Sequence, residues 1–356
     1  MKIKLNPAKC VRYYSKFSNC TLCEDICPKE AISVDVSSLK IYQDRCIGCG
    51  GCVGVCPTES LEIPNFNITE FFFSFLKDED KVISCKTNFV CLSAMNVEYL
   101  LSLRLAKDFV LDIGHCESCD IKDSCYPQIL KNIDEANYIL STISDKNIEA
   151  KELKRVKKEG DVNRREFFNI FTLKGATKIA ADIENEIQSL EEPKVELPTH
   201  LVSSIKNKNI PNKRKLLFTI LKKIEKPKEY KYLENEHLTF ISDKNIDDSC
   251  DNCSICYRIC PTGALSSDSK FAKIFFDPML CVRCHLCHDV CEKDSIQLSE
   301  FFDTQEFFES KQRVLKSFNV IRCEDCGVFF TYMGGKRLCQ RCKIEEEEAK
   351  DLWGIS

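Results

Sequence analysis

The sequence has a single tryptophan, only 12 glycines in 356 residues, and no apolar run that approaches 18 residues. Because a membrane-spanning helix needs about 20 consecutive apolar residues, no transmembrane segment is predicted. The first ten residues, MKIKLNPAKC, contain no apolar stretch of the kind found in signal peptides. No P-loop, dinucleotide fingerprint or nucleophile–base pair is visible. These absences argue against nucleotide-dependent chemistry and predict a cytoplasmic protein.

The net charge is small but unevenly distributed along the chain. It amounts to −4, yet residues 151–231 carry 20 Lys and Arg against 12 Asp and Glu, a net +8 that leaves −12 for the rest. Since the chain is acidic and has no nucleic-acid recognition motif, we expect no nucleic-acid partner. The basic middle is expected to dock on an acidic partner or on the acidic ends of the same chain.

Cysteine, by contrast, is abundant. The chain has 25 cysteines, an odd and very high number that indicates metal ligation rather than a disulfide framework. The stretch CIGCGGCVGVCP at residues 46–57 arranges them as C-x2-C-x2-C-x3-C followed by proline. This spacing lets three thiolates bind one iron–sulfur cubane while the fourth reaches a second one. A disulfide knot or a zinc site is the alternative, but the same run recurs elsewhere in the chain.

Residues 1–65 resemble the bacterial two-cluster ferredoxins. An incomplete run, Cys20-x2-Cys23-x3-Cys27-Pro28, precedes the complete one, and Cys10 is the candidate for its missing first ligand. The resemblance implies two [4Fe–4S] sites that exchange their fourth ligands, with short strands at 31–36 and 60–63. Site A would be held by Cys10, Cys20, Cys23 and Cys56, and site B by Cys46, Cys49, Cys52 and Cys27. If Cys10 is instead a spare thiol, site A would hold a [3Fe–4S] centre.

Residues 237–305 carry two more complete runs and resemble the same ferredoxins. The resemblance implies site C on Cys250, Cys253, Cys256 and Cys291, and site D on Cys281, Cys284, Cys287 and Cys260. Glu292 replaces the proline of the last run, which is expected to loosen one turn without removing a ligand. Three residues that can carry a positive charge fall between the cysteines of this last run: Arg283, His285 and His288. They either raise the reduction potential of site D or are ordinary solvated loop residues.

Residues 66–150 predict a small α/β unit. Short apolar strands at 81–85 and 109–114 flank a helix at 97–107, which indicates a parallel βαβ arrangement, and a second helix is expected at 134–143. Five cysteines follow the two strands: Cys85, Cys91, Cys116, Cys119 and Cys125. The hypotheses are a possible fifth cluster on Cys91, Cys116, Cys119 and Cys125, a redox-active dithiol of Cys116 and Cys119, or inert or zinc-binding thiols. The unit loosely resembles cysteine-containing α/β domains of hydrogenase-associated electron carriers.

Residues 151–236 contain no cysteine and predict a basic helical connector. Helices are expected at 163–171 and 214–224. The segment RREFFNIF at 164–171 is superficially similar to a twin-arginine export motif, but it is internal and no long apolar stretch follows it. An amphipathic helix is therefore the interpretation of this segment.

Residues 306–356 resemble a zinc ribbon with an acidic tail. Two C-x2-C knuckles supply Cys323, Cys326, Cys339 and Cys342. Four thiolates of this kind form a closed tetrahedral site, which predicts one structural zinc, with a rubredoxin-like single iron as the alternative.

Together these patterns predict an α+β multidomain protein: two ferredoxin-like 2[4Fe–4S] domains, a small α/β unit between them, and a four-cysteine ribbon. The expected function is one-electron transfer through at least four clusters. The resemblance to polyferredoxin subunits implies a non-catalytic subunit or partner of a redox enzyme such as formate dehydrogenase or hydrogenase. The alternatives are a thiol/disulfide reductase that uses the α/β-unit cysteines, and a redox-sensing or assembly factor for such enzymes.

Overall fold

The computed structural model describes residues 2–36, 38–153 and 208–354, and these form a mixed helix and strand protein. The helix expected at 163–171 lies outside the described residues. Among the described residues, no helix is long and apolar enough to cross a membrane.

The first unit is built from short elements that alternate with the cysteine runs. In chain order they are β1 (Lys4–Leu5), α1 (Val11–Tyr14), α2 (Leu22–Asp25), β2 (Ile32–Asp35), β3 (Ser38–Ile41), α3 (Gly51–Val55) and β4 (Leu61–Glu62). Strands β1 and β4 pair antiparallel at the two ends of the unit, while β2 and β3 form a hairpin in its middle. The apolar side chains between these pairs share one core with several of the cysteines.

The α/β unit contains a three-stranded parallel sheet. Its elements are α4 (Ile68–Lys77), β5 (Val82–Ser84), α5 (Val97–Ala106), β6 (Val110–Asp112), α6 (Lys122–Ile143) and β7 (Glu149–Lys151), with a 3₁₀ turn at Leu92–Ala94. The parallel pairing of β5 with β6 agrees with the expected βαβ arrangement. Strand β7 was not expected, because three residues with a single small apolar side chain are too short a segment to indicate a strand. Helix α6 begins 12 residues earlier than the predicted start.

Helix α7 (Asn212–Leu221) lies in the same core as the α/β unit. Its apolar residues Leu216, Leu217 and Ile220 are buried against α5. Helix α5 is therefore covered on nearly every side, and eight of its ten residues are buried. The basic residues that open α7, Lys213 to Lys215, are buried as well, so this part of the basic middle is packed inside the protein.

The second ferredoxin-like unit repeats the plan of the first. Its elements are β8 (Tyr232–Glu234), β9 (Lys244–Ile246), α8 (Ile255–Ile259), β10 (Leu265–Ser267), β11 (Lys273–Phe276), α9 (Leu286–Asp289), β12 (Ile296–Leu298), β13 (Phe301–Asp303), α10 (Glu306–Glu309) and β14 (Arg313–Ser317). Strands β9 and β12 pair at the ends of the unit, as β1 and β4 do, and β10 and β11 form the central hairpin. Strand β14 extends that hairpin sheet, so residues 313–317 pack with this unit.

The chain ends in a small ribbon. Strands β15 (Val320–Arg322) and β16 (Phe329–Thr331) pair antiparallel, and helix α11 (Gln340–Trp353) follows the last knuckle. The amide of Asn252, in the loop of the second unit, donates to the Thr331 hydroxyl at 2.9 Å, so the ribbon rests on the site C loop.

Candidate metal centres

The same left-handed turn follows the fourth cysteine of every run. The residue three positions after that cysteine has a positive φ in all four runs: Glu30 (47°), Glu59 (51°), Gly263 (77°) and Asp294 (49°). A positive φ strains any residue except glycine, so its retention at three non-glycine positions indicates that the turn is needed.

This turn aims a backbone N–H at the cysteine sulfur. The N–H groups of Ala31, Ser60 and Ser295 donate to the sulfurs four residues earlier, at 3.2, 3.3 and 3.3 Å. Such bonds hold a thiolate in one orientation and stabilise its charge. The last run keeps this geometry although Glu292 replaces the proline, so the expected loosening of that turn is not observed.

A second backbone feature surrounds the second cysteine of the three complete runs. The residues on either side of it all have left-handed backbones: Gly48 and Gly50, Asn252 and Ser254, Arg283 and His285. The chain therefore curls around the thiol in the same way three times. The incomplete run lacks this curl, since Thr21 has φ −122°. The ligand loop of the incomplete run therefore differs from those of the three complete runs. Cys10 lies outside that loop, at the start of helix α1.

The structure brings the predicted ligands of the first unit together. Burial, together with the charges of Cys56 and Cys10, raises the pKa of Cys20 to about 11. Cys23 has these same three thiols as charged neighbours. The predicted site B thiols gather in the same way around Cys52, whose pKa is raised by burial and by its charged neighbours Cys49, Cys23, Cys27 and Cys46. The two groups adjoin each other through Cys23 and Cys52.

The second unit repeats this arrangement. Burial raises the pKa of Cys256, and its neighbouring thiols are those of Cys250, Cys253 and, from the adjoining group, Cys287. The charge of Cys291 contributes to raising the pKa of Cys250, so these two thiols are neighbours as well. Burial raises the pKa of Cys287 to about 12, and Cys281 and Cys260 are its neighbours. Cys284 also has Cys260, Cys287 and Cys281 around it.

The two ferredoxin-like units touch each other at their thiol groups. Cys20 of the first unit and Cys284 of the second both pack against one apolar cluster, formed by Val11, Leu286 and Val290. The Asn19 backbone and amide donate to the Asp289 carboxylate at 2.9 and 3.2 Å beside this cluster. Site A and site D are therefore neighbours across the interface.

Buried cations lie beside the ligand loops, and two of them come from the basic middle that was expected to dock on an acidic partner or on the acidic ends of the same chain. The Lys213 ammonium donates to the Cys56 carbonyl at 2.7 Å, and the next residue, Arg214, donates to the Cys281 carbonyl at 3.0 Å. Arg12 donates to the Cys20 carbonyl at 3.1 Å. The Glu98 carboxylate contacts two of the three basic residues of α7, with its oxygens 3.6 Å from Lys213 and 2.5 Å from Arg214. One buried cluster of charges thus connects both ferredoxin-like units to helix α5.

The two histidines near site D both have a lowered pKa. Burial, followed by the charge of Lys244, lowers the pKa of His288 to about 3, and burial likewise lowers the pKa of His285. The Lys244 ammonium lies 2.6 Å from the His288 ring nitrogen, and its charge lowers the pKa of Cys287 against the larger effect of burial. Lys244 is therefore one cation that acts on site D. The Arg283 guanidinium donates to the carbonyls of Asn235 and Ile241, and the Cys281 charge also acts on it.

The four ribbon thiols form a much tighter group. Their sulfurs all lie within 4.8 Å of one another, and three of the four residues are buried: Cys323, Cys339 and Cys342. The Cys339 N–H donates to the Cys323 sulfur at 3.3 Å. Tetrahedral zinc with bonds of about 2.3 Å to sulfur requires this close spacing. In the described part of the chain no other group of three or more thiols is as tight, and the wider groups suit a cubane, whose ligands bind separate iron atoms.

Comparisons with known protein families match one segment in each of the two cysteine-rich units. Residues 18–66 match the LdpA Fe-S cluster-binding domain, and residues 249–295 match the 4Fe-4S dicluster domain. Both ferredoxin-like units therefore contain iron–sulfur-binding domains. The donor sets and turns described above fit such clusters.

Two curated relatives share a short segment with this chain. The chain is 43% identical over 49 residues to the electron transport protein HydN of Escherichia coli (strain K12), which covers 12% of this chain and 28% of that protein. It is 41% identical over 44 residues to a component of the ion-translocating oxidoreductase complex of Methanosarcina acetivorans, which covers 12% of this chain and 17% of that protein. The chain thus spans less than a third of either relative.

Proposed function

We propose that this chain is an electron-transfer protein in which sites A to D each hold a [4Fe–4S] cluster and lie in the order C, D, A, B. One-electron transfer is the chemistry that such clusters supply when bound. The single observation that carries the proposal is that Cys20 and Cys284 pack against the same apolar cluster, because this cluster joins the two ferredoxin-like units.

The chain's own residues support each junction of this order. Within the units, Cys23 and Cys52 connect A with B, and Cys256 and Cys287 connect C with D. Between the units, the apolar cluster around Val11 excludes water from the space that separates A and D. The ribbon would hold one structural zinc, since its four sulfurs are spaced for a single ion.

The names of the relatives favour a role beside a redox enzyme. One is called an electron transport protein and the other a part of an oxidoreductase complex. We infer that this chain likewise passes electrons between an oxidoreductase, such as a hydrogenase or formate dehydrogenase, and a further acceptor. Anaerobic affinity purification from native cells tests this inference. A cofactor-loaded oxidoreductase in the eluate supports it, whereas a partner that lacks its cofactor would favour an assembly factor.

The disulfide-reductase alternative has less support. A reactive dithiol needs an accessible cysteine with a lowered pKa. Cys116 is buried, and burial together with the charges of neighbouring thiols raises its pKa to about 12. A cleft of about 740 Å³ beside the first unit is lined by residues such as Glu59, Phe66 and Tyr99, and none of the described cysteines lines it.

Magnetic coupling between the sites tests the proposed order directly. In anaerobically reduced protein, the EPR signal of site A should be broadened by the unpaired spin at site D. The variant Cys284→Ser, which alters a site D ligand, should sharpen the site A signal. The matched control is Cys253→Ser, which alters a site C ligand at the far end of the order and should leave the site A signal broadened. A site A signal that is the same in all three proteins would exclude the contact as a relay junction.

A further inference from the structure

The carboxyl ends of the parallel strands bring a fifth group of thiols together. Cys85 directly follows β5, and Cys116 follows β6 after a turn in which its N–H donates to the Ile113 carbonyl at 2.9 Å. Parallel strands place their carboxyl ends at one edge of the sheet, which is where α/β folds form their sites. The Ser84 hydroxyl donates to the Asp112 carboxylate at 2.8 Å and ties the two strand ends together.

Four of the five cysteines at this edge are mutual neighbours. The charges of Cys85, Cys91 and Cys119 all act on Cys116, and those of Cys91 and Cys119 act on Cys85. The turn that carries Cys116 and Cys119 is short, because the Cys119 N–H donates to the Cys116 carbonyl at 3.3 Å. In the part of the chain that the structure describes, no three of these sulfurs lie as close as the ribbon sulfurs do. Their spacing is thus wider than a single zinc ion requires.

The fifth cysteine, Cys125, faces the first ferredoxin-like unit instead. It is buried in the first turn of α6, and its sulfur lies 3.8 Å from the point where a side chain on Gly51 would begin. Its thiol contacts those of Cys49 and Cys91. Cys125 therefore lies between site B and the thiols at the sheet edge.

The backbones of the two units are in direct contact at this point. A side-chain carbon on Gly54 of α3 would lie only 2.2 Å from the Ser93 carbonyl oxygen. Only glycine allows α3 to approach the 3₁₀ turn at Leu92–Ala94 so closely. This turn follows Cys91 directly, so Cys91 is held against the helix that begins beside the site B ligands.

We propose that Cys85, Cys91, Cys116 and Cys119 hold a fifth iron–sulfur cluster, next to site B and separated from it by the Cys125 side chain. This ligand set differs from the one that spacing alone suggested, because Cys85 takes the place of Cys125. The inference rests on the proposed function, and it extends the order of sites to C, D, A, B and the sheet edge. It makes the α/β unit one end of the relay.

The iron content of two variants distinguishes the proposed ligand, Cys85, from the neighbouring thiol of Cys125. Anaerobically reconstituted wild-type protein should contain roughly 20 iron atoms per chain, at four for each cubane, against roughly 16 if only sites A to D are loaded. Cys85→Ser should lower the content to roughly 16, while the matched variant Cys125→Ser should keep roughly 20. If Cys85→Ser fails to fold, Cys119→Ser replaces it as the test. Cys119 is only half-buried, and its loss should lower the iron content by the same amount.

Three outcomes would overturn the assignment. Loss of iron in Cys125→Ser but not in Cys85→Ser would make Cys125 the ligand. Equal iron and sulfide contents in wild type and all three variants would show that the edge thiols are free. A second zinc ion per chain that Cys85→Ser removes would show a zinc site. In each case the EPR signals of sites A to D remain, whereas failure of the proposed function would remove or alter those signals.

Discussion

Replacing Arg214 with methionine should destabilise the whole protein, because this side chain closes a buried network of charges. Its guanidinium is fully buried and lies 2.5 Å from the Glu98 carboxylate, which is 1% exposed. It also donates to the carbonyls of Phe240, Met279 and Cys281. Removing one partner of a buried ion pair costs about 3–5 kcal/mol, because the remaining charge is left without compensation.

The neighbouring Lys213 reduces this cost only in part. Its ammonium is 3.6 Å from Glu98 and is already bonded to the Cys56 carbonyl. The three carbonyls that lose a donor add to the cost, at roughly 1 kcal/mol for each lost hydrogen bond. Adding these terms and subtracting the partial compensation by Lys213, we expect a net loss of about 6 kcal/mol. An unfolding entropy of about 2.1 cal/mol/K per residue over 356 residues corresponds to roughly 1.3 °C per kcal/mol, so the apparent melting midpoint should fall by roughly 8 °C.

The assay is anaerobic thermal unfolding of the iron-loaded protein, followed by circular dichroism at a fixed scan rate. The double variant Glu98→Met with Arg214→Met removes both charges and should recover part of the lost midpoint. Lys226→Met, which breaks an exposed pair with Glu309, should leave the midpoint unchanged. If Arg214→Met and the double variant melt together, then the unpaired Glu98 charge is not the source of the loss and the reasoning fails.

Three further changes test separate parts of the structure. Cys56→Ala should remove the EPR signal of site A and roughly four iron atoms, and a loss confined to site B would contradict the exchange of fourth ligands. Cys339→Ser should lower bound zinc by about one ion per chain with iron unchanged, whereas a red single-iron chromophore in the wild type would refute zinc in the ribbon. Burial raises the pKa of Glu135 to about 7, so the native state keeps a proton that the unfolded chain releases. Wild type should therefore lose about 1.3 kcal/mol relative to Glu135→Gln between pH 6 and pH 8, and parallel unfolding midpoints of the two proteins across this range would disprove it.

The local geometry of the cysteine runs could be predicted from their spacing. A C-x2-C-x2-C run leaves the backbone few ways to direct three thiols inward, and the structure curls around the second cysteine at Gly48 and Gly50 as at Asn252 and Ser254. The strand–helix–strand pattern of the α/β unit could also be predicted, because the spacing of apolar residues changes from helical to strand-like between residues 97 and 109. In each case the information lies within a few neighbouring residues.

Features that depend on distant residues could not be predicted. Glu98 and Arg214 are 116 positions apart, and nothing near either residue indicates that the other neutralises it. The basic middle was expected to dock on an acidic partner or on the acidic ends of the same chain, but no local pattern shows which residue pairs with Arg214. The predicted parallel strands place Cys85 and Cys116 at one sheet edge, but the sequence does not show that Cys85, rather than Cys125, lies beside Cys116. Tertiary contacts, rather than local pattern, decide these positions.

The unequal distribution of charge has a physical explanation in these contacts. Thiolate sites gather negative charge in the two units, and burying such charge is costly unless cations lie close to it. The connector supplies them: Lys213 and Arg214 reach a ligand carbonyl in each unit, and Lys208 lies within the field of Cys256 and Cys260. Because adjacent residues of one helix serve both units, neither unit can move relative to α7 without breaking a buried charged contact. The helix thereby holds the Cys56 loop and the Cys281 loop in place relative to each other.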